Sequence, residues 1–381
     1  MVTALYELAI MGSPSDDQIQ KVESYLSEGL KAFGLTLGKE VAWATRGNNF
    51  KPSRRIASAV LFFGAKDVSD SGLKSILNEG IPVIPVASRY SQVHVEIPEI
   101  LRALNCLAFE EDGIQRVATA LLECAGLLPR QRRVFISYRR NESREAALQL
   151  FDGLSARHFD VFLDTHGIGP AEDFQAMLWH RLCDSDVLVM LDTPNYFESR
   201  WSSAEFGRAL AKGISVLRVG WPNSKASARI STASRLDLCD SDIDSGTRRL
   251  TDEVIGRICF QIEALRSQSH AVRGLSLFSR ISQGLAQIGG IVSGVGEHKA
   301  VFAHLPDGKT VIIYPTVGVP TSVTLHEALN RSPDSSVAVV YDEVGLHPDW
   351  LNHLSWLGAH IQVGRYVKAN EVAWAMADWE G

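Results

Sequence analysis

The sequence is poor in cysteine and has none of the spacings that make cysteine structural. Its five cysteines, Cys106, Cys124, Cys183, Cys239 and Cys259, are odd in number and scattered, with no C-x-x-C pair. That excludes a disulfide framework and a cysteine-based zinc site, and it suits a reducing compartment. Long hydrophobic runs are also missing; none approaches the ~18 residues that a membrane-spanning helix needs. The opening "MVTALYELAIMGSPSDD" lacks a basic segment ahead of its short apolar run, so it does not read as a signal peptide. An excess of positive charge is absent too: the formal net charge is −6. A protein that wraps nucleic acid needs a basic face, so no nucleic-acid partner is expected. The expectation is a soluble, cytoplasmic protein with no membrane partner. What is present is ordinary globular material. The 381 residues are 45% hydrophobic and 22% charged, enough for two or three domains, each with its own core.

The middle of the chain is patterned most clearly. "RVFIS" reads as a short apolar strand, and Ala146, Ala147, Leu150, Phe151 and Leu154 then fall on one helical face. Asn141 or Ser143 can cap the start of that helix. "FDVFLD" alternates as a second strand, and "THGIGP" breaks the chain. "AEDFQAMLWHRLCDS" is helical, and "DVLVML" is a continuous apolar run, as a strand covered on both faces should be. A helix closing at Gly213, the strand "ISVLRV" and a helix with Val254, Ile258, Ile262 and Leu265 on one face complete the segment. Strands alternating with helices mean a parallel sheet with helices on both faces.

The N-terminal segment follows the same plan. Ser58 to Phe63 aligns with Ser185 to Met190, and the same offset places Leu8 to Ile10 on Phe135 to Ser137. This suggests two copies of one architecture. The Gly-Ser turn of "MGSPSDD", if it opens a helix, can hold an anion. Residues 268–300 are rich in serine and glycine without a G-x-G-x-x-G fingerprint, and they read as a packed amphipathic linker. Beyond them come strand, helix, strand, helix and strand, a small third α/β module. Trp350, Trp356, Trp374 and Trp379 crowd this part and read as core and interface residues. The expected domains are 1–129, 131–267 and 268–381.

Ligands of open α/β sheets bind at the carboxyl ends of the strands. Three loops of the middle segment leave those ends, and they bring Tyr138, Arg139, Arg140, Asp164, Trp201 and Glu205 to one rim. Arginines there suit phosphate, because a guanidinium offers a planar fork of donors. An aromatic ring can cover a base or ribose, and a carboxylate can face developing positive charge. His158, His166 and His180 lack metal-like spacing, and no metal is expected.

"RVFISYRRNE", "FDVFLD", "DVLVMLDTPNYFESRW" and "WSSAE", in this order and spacing, resemble the Toll/interleukin-1 receptor (TIR) domain, specifically its NAD-cleaving members in animals, plants and bacteria. The resemblance spans about residues 131–267. It implies a doubly wound, flavodoxin-like parallel sheet. The repeated plan makes the N-terminal segment a TIR-like α/β domain before that sheet, and the patterning of the last part makes it a small α/β module after it. By the same resemblance Glu205 is catalytic, and Tyr138, Arg139, Arg140 and Trp201 line the pocket; Asp164 joins them by its place on the rim, or holds its own loop by hydrogen bonds. NAD+ is the substrate and no further cofactor is needed. The loop "DTHGIGPAED" stands where the family assembles TIR with TIR, which implies a homo-oligomer. The resemblance further implies an anti-phage effector, quiet until a small-molecule or protein activator acts at the flanking domains.

One carboxylate suffices for such chemistry. The nicotinamide of NAD+ is already cationic and leaves without a proton donor, whereas an ordinary glycosidase needs a carboxylate pair. Other readings stay open. Ser202 to Glu205 is also S-x-x-E, a helix capping box. A TIR domain can be a non-enzymatic scaffold, or it can make a cyclic ADP-ribose signal. The N-terminal copy has neither arginines after its first strand nor a glutamate in the place of Glu205, which makes it catalytically silent.

Overall fold

The computed structural model describes residues 4–45, 50–128, 131–163, 172–198, 207, 209, 211–224, 233–361 and 363–379. The chain divides into two compact units. One combines residues 1–128, 270–343 and 349–381; the other comprises 129–269 and 344–348. The three sheets, mostly parallel and interleaved with helices, make an α/β protein.

The first unit begins with β1 (Tyr6–Gly12), α1 (Asp16–Lys31), β2 (Val41–Ala44) and β3 (Ala57–Phe63). It continues through α2 (Leu73–Asn78), β4 (Val83–Ala87), α3 (Val93–Glu96), β5 (Leu107–Ala108) and α4 (Phe109–Cys124). The strands pair in parallel in the order β2-β1-β3-β4-β5. Every residue of β3 is buried, as a central strand covered on both faces requires.

The second unit holds β6 (Arg133–Ser137), α5 (Arg140–Ser155), β7 (Asp160–Leu163), α6 (Glu172–Cys183), β8 (Val187–Asp192), β9 (Ser215–Gly220) and β10 (Ser234–Asp237). These strands are also parallel, in the order β10-β9-β8-β6-β7. Read from β6, both sheets have the order second, first, third, fourth, fifth, which is the flavodoxin-like arrangement. The common spacing expected from sequence is off by two residues: Leu8 lies opposite Ala59, but Phe135 lies opposite Leu188. A two-residue step preserves the face of every side chain, so the hydrophobic pattern hides it.

Ala146, Ala147, Leu150 and Leu154 of α5 are buried against Val134, Ile136 and Val189 of the sheet, as their spacing predicts, but Phe151, expected on the same face, is only half-buried. The helix expected from Val254 to Leu265 runs much further. As α7 it spans Asp252–Gln287, and Leu277, Ile281 and Leu285 carry its buried face on at every fourth residue. Gly284 sits on that buried face as well, where a Cβ would lie 2.9 Å from the Val372 side chain.

After α7 the first unit resumes with β11 (Ile291–Val295), β12 (Val301–His304), β13 (Thr310–Thr316), α8 (Ser322–Arg331), β14 (Ser336–Tyr341), α9 (Pro348–His360), β15 (Gly364–Lys368) and α10 (Val372–Ala377). The sheet order is β11 to β15 in sequence. The β11–β12 and β12–β13 pairs are antiparallel and the rest parallel. One hydrophobic cluster joins Val60, Phe62 and Leu73 to Phe302, Ile312 and Val337, so the two ends of the chain share a core.

Candidate functional site

In a sheet of this order the strand sequence reverses between β6 and β8, and the crevice lies above that reversal. The loops leaving β6 and β8 therefore flank it. They are tied to each other. The Arg139 guanidinium donates to the Asn195 carbonyl oxygen. The Asn195 amide donates to Glu142 Oε1 at 2.7 Å, and Arg139 Nε lies 3.7 Å from the same oxygen. Beneath them the Tyr196 hydroxyl donates to Ser137 Oγ at 2.7 Å, fully buried. Burial acts to raise the Glu142 pKa. The Thr193 hydroxyl, the Asn195 amide and the Arg139 charge outweigh it and hold the carboxyl below its usual value.

The predicted residues fall into distinct places. Arg139 is half-buried, forms the N-cap position of α5 and latches the β8 loop. Arg140 is the first residue of α5 and is exposed, so it presents its charge at the rim. Tyr138 is buried among Val134, Ala146 and Leu150, so its ring belongs to the core. Asp164, Trp201 and Glu205 lie outside the described residues.

A second set of groups at this end was not singled out from sequence. Asp192 closes β8 and is 2% exposed. It accepts from Arg218 Nε at 2.6 Å and from Ser224 Oγ at 3.1 Å. Arg218, itself 2% exposed, also donates to Asp237 at the end of β10. One buried guanidinium thus pins the carboxyl ends of β8, β9 and β10. Trp221, half-buried, follows β9, and its backbone N–H donates to the Asp192 carbonyl oxygen. The sequence signal was an arginine inside the apolar run "ISVLRV", which has to find a partner when buried.

The opposite end of the sheet is ionic as well. Arg132 pairs with Glu263 at 2.8 Å, and Arg266 with Asp186 at 3.0 Å, all buried. These bonds tie the start of β6 and the approach to β8 to α7, away from the carboxyl-end crevice.

The corresponding end of the N-terminal sheet is built differently, and the anion site suggested by "MGSPSDD" is not supported. Ser15 and Gln18 form a capping box that occupies amide donors of α1, and Asp16 and Asp17 make its first turn acidic. Backbone approaches backbone closely at these strand ends. Gly12 has φ +81°, and a Cβ there would sit 2.0 Å from the Phe63 carbonyl oxygen. A Cβ on Gly64 would lie 2.7 Å from the Glu96 carbonyl oxygen.

Among the described residues one group has metal-ligand geometry: Glu123, Glu297 and His298 of the first unit. His298 Nδ1 lies 2.8 Å from Glu123. Arg116 pairs with Glu297, and Arg331 lies 3.7 Å from Glu123. Two guanidiniums thus balance two carboxylates, and the group reads as an ion-pair network.

With this geometry in place, comparison with known proteins is informative for one segment. The TIR-domain family model matches residues 134–251, which run from β6 through β10 to the start of α7. No curated protein matches the chain. No helix among the described residues is long and apolar enough to cross a membrane.

Proposed function

We propose that the TIR domain at residues 134–251 cleaves the nicotinamide–ribose bond of NAD+. The observation that supports this most is the tied crevice above β6 and β8. One wall carries Arg139 and Arg140, and the other leads in sequence to Trp201-x-x-x-Glu205. In this reading Arg140 faces the pyrophosphate. Arg139 holds the two loops at a fixed separation, with Asp164 and Trp201 completing the pocket. The C1′–N bond breaks and its electron pair moves to the pyridine ring, which leaves as neutral nicotinamide. The Glu205 carboxylate stabilises the oxocarbenium-like sugar, and water then adds at C1′ and releases a proton. A preorganised carboxylate suits this step because the charge it meets exists only near the transition state.

The remaining parts follow from the same reading. TIR domains commonly self-associate, and assembly through TIR–TIR contacts activates the enzyme. The first unit receives the activating small molecule or protein. The protein acts in the cytoplasm as an inducible anti-phage effector that depletes NAD+. A cyclase making cyclic ADP-ribose shares the bond cleavage and differs only in what attacks C1′. The non-enzymatic scaffold reading is favoured by one observation: Ser202 to Glu205 has capping-box spacing. Chromatography of NAD+ incubated with the purified chain separates these, alone and with a crowding agent or infected-cell extract. Nicotinamide with ADP-ribose supports the hydrolase, and nicotinamide with a cyclic product the cyclase. Unchanged NAD+ under every condition leaves the scaffold.

A further inference from the structure

In the first unit, β11 is an edge strand: among the described residues its one strand neighbour is β12. The layers on either face of the sheet continue past that edge. On one side α7 presents Leu275, Phe278, Ser282 and Ala286, which recur at helical spacing along one face. On the other stand Leu77 of α2 and Ile100 from the segment before β5. Between these walls lies a trough of about 1130 Å³ whose base is Gly290 to Ser293. Ile291, at its open side, is 66% exposed. The trough has limits. Phe278 packs on Gly80, where a Cβ would lie 2.5 Å from the ring. At Gly294 a Cβ would meet Leu77 at 2.8 Å, so the edge is covered from there on.

We infer that this trough takes one more β-strand: an extended peptide segment of a partner protein adds to the free edge of β11. The dimensions fit. A five-residue strand about 17 Å long, on a strand spacing of ~4.8 Å and between layers ~10 Å apart, fills roughly 800 Å³. The chemistry fits as well. An edge strand carries a row of outward N–H and C=O groups that a second strand satisfies, and an apolar side chain on such an edge invites pairing. Charge at the trough cancels: Arg54 and Lys74 stand against Glu79 and Glu99, and Arg54 lies 3.6 Å from Glu79. The peptide is therefore uncharged over its central residues. It carries apolar side chains at alternate positions, one set against Leu275 and Phe278 and the other against Leu77 and Ile100. Ser282, whose hydroxyl is buried without a partner, lies along the same wall. This site is independent of the NAD+ reading.

The test uses random dodecapeptides displayed on phage and panned against the full chain. Enriched sequences should alternate apolar and small polar residues, and a resynthesised binder should slow amide exchange at residues 290–293. N-methylation of alternate residues should weaken binding tenfold or more in one register and leave the other unchanged, because only every second amide faces β11. Ile291→Lys and Ala286→Trp should each weaken binding at least tenfold. Both residues are exposed, so both variants keep the fold. Failure of any sequence to enrich, equal binding by both variants, or equal effects in the two registers would overturn the proposal. So would an Ile291-dependent dimer of the chain alone, which would assign the edge to a second copy.

Discussion

Replacement of Arg218 by methionine tests whether the buried guanidinium organises the carboxyl end of the β6–β10 sheet. The substitution keeps most of the volume and removes the charge. Asp237 loses little, because its side chain is 68% exposed and water replaces the arginine. Asp192 cannot rehydrate in the same way at 2% exposure, and among the described residues only the Ser224 side chain remains to donate to it. Breaking one side of a buried ion pair costs about 3–5 kcal/mol, since the orphaned charge keeps its desolvation penalty. Global two-state bookkeeping suits single small domains and this chain has two units, so the readout is local. Amide exchange of Val187 to Asp192 should accelerate by roughly two to four powers of ten, at ~1.4 kcal/mol per tenfold change. Adding Asp192→Leu to Arg218→Met should recover most of the protection, because an apolar pair replaces an ionic one at little cost. Acceleration below tenfold in the single variant, or no recovery in the double, would refute the pinning role.

Three further outcomes are expected. Arg139→Ala should release the β8 loop at a cost of ~1 kcal/mol, raising amide exchange at residues 195–197 and the KM for NAD+ more than it lowers kcat; an unchanged loop would mean that the latch carries nothing. Gly12→Ala should destabilise the first unit by at least ~2 kcal/mol, read as a lowered melting midpoint, because the left-handed φ and the Phe63 carbonyl both oppose a Cβ. Burial acts to raise the Glu123 pKa, but the His298 hydrogen bond and the His298, Arg331 and Arg116 charges outweigh it and hold the carboxyl below its usual 4.5. As pH falls the unfolded chain therefore takes up this proton first, so the Glu123 contribution is present above pH ~4.5 and is lost below it. Denaturant midpoints of wild type and Glu123→Gln should converge as pH drops from 6 to 3; a constant gap would contradict the assignment.

Much of the architecture was legible because burial writes itself into the chain. Continuous runs such as "SAVLFF" and "DVLVML" are what a doubly covered strand requires, and both are central strands. Four-residue spacing in α5 marked Ala146, Ala147, Leu150 and Leu154 of its inner face, while Phe151 at the edge of that face stays half-buried. Other features left weaker traces. The second half of α7 was obscured by serines and glycines, though Leu277, Ile281 and Leu285 carried the helical period throughout. The β11–β12 hairpin was missed because β11 follows Gly289 and Gly290, holds Gly294 and is irregular between Val292 and Gly294. A shared core between the two ends of the chain has no local signature at all. At the candidate site the arginines were visible, but their division of labour was not. That Arg139 turns inward while Arg140 stays exposed depends on a loop 56 residues away. Arg132, Arg218 and Arg266 were hidden for the same reason: each meets its carboxylate across the fold.

The central claim concerns the acid at position 205, and substituting it with its isosteric amide tests it most directly. Purified wild type and Glu205→Gln, matched for melting temperature and assembly state, are given NAD+ under the activating condition, and released nicotinamide is timed. The account predicts steady release by wild type and a loss of at least a hundredfold in kcat with assembly intact. Equal rates for the two proteins would contradict it.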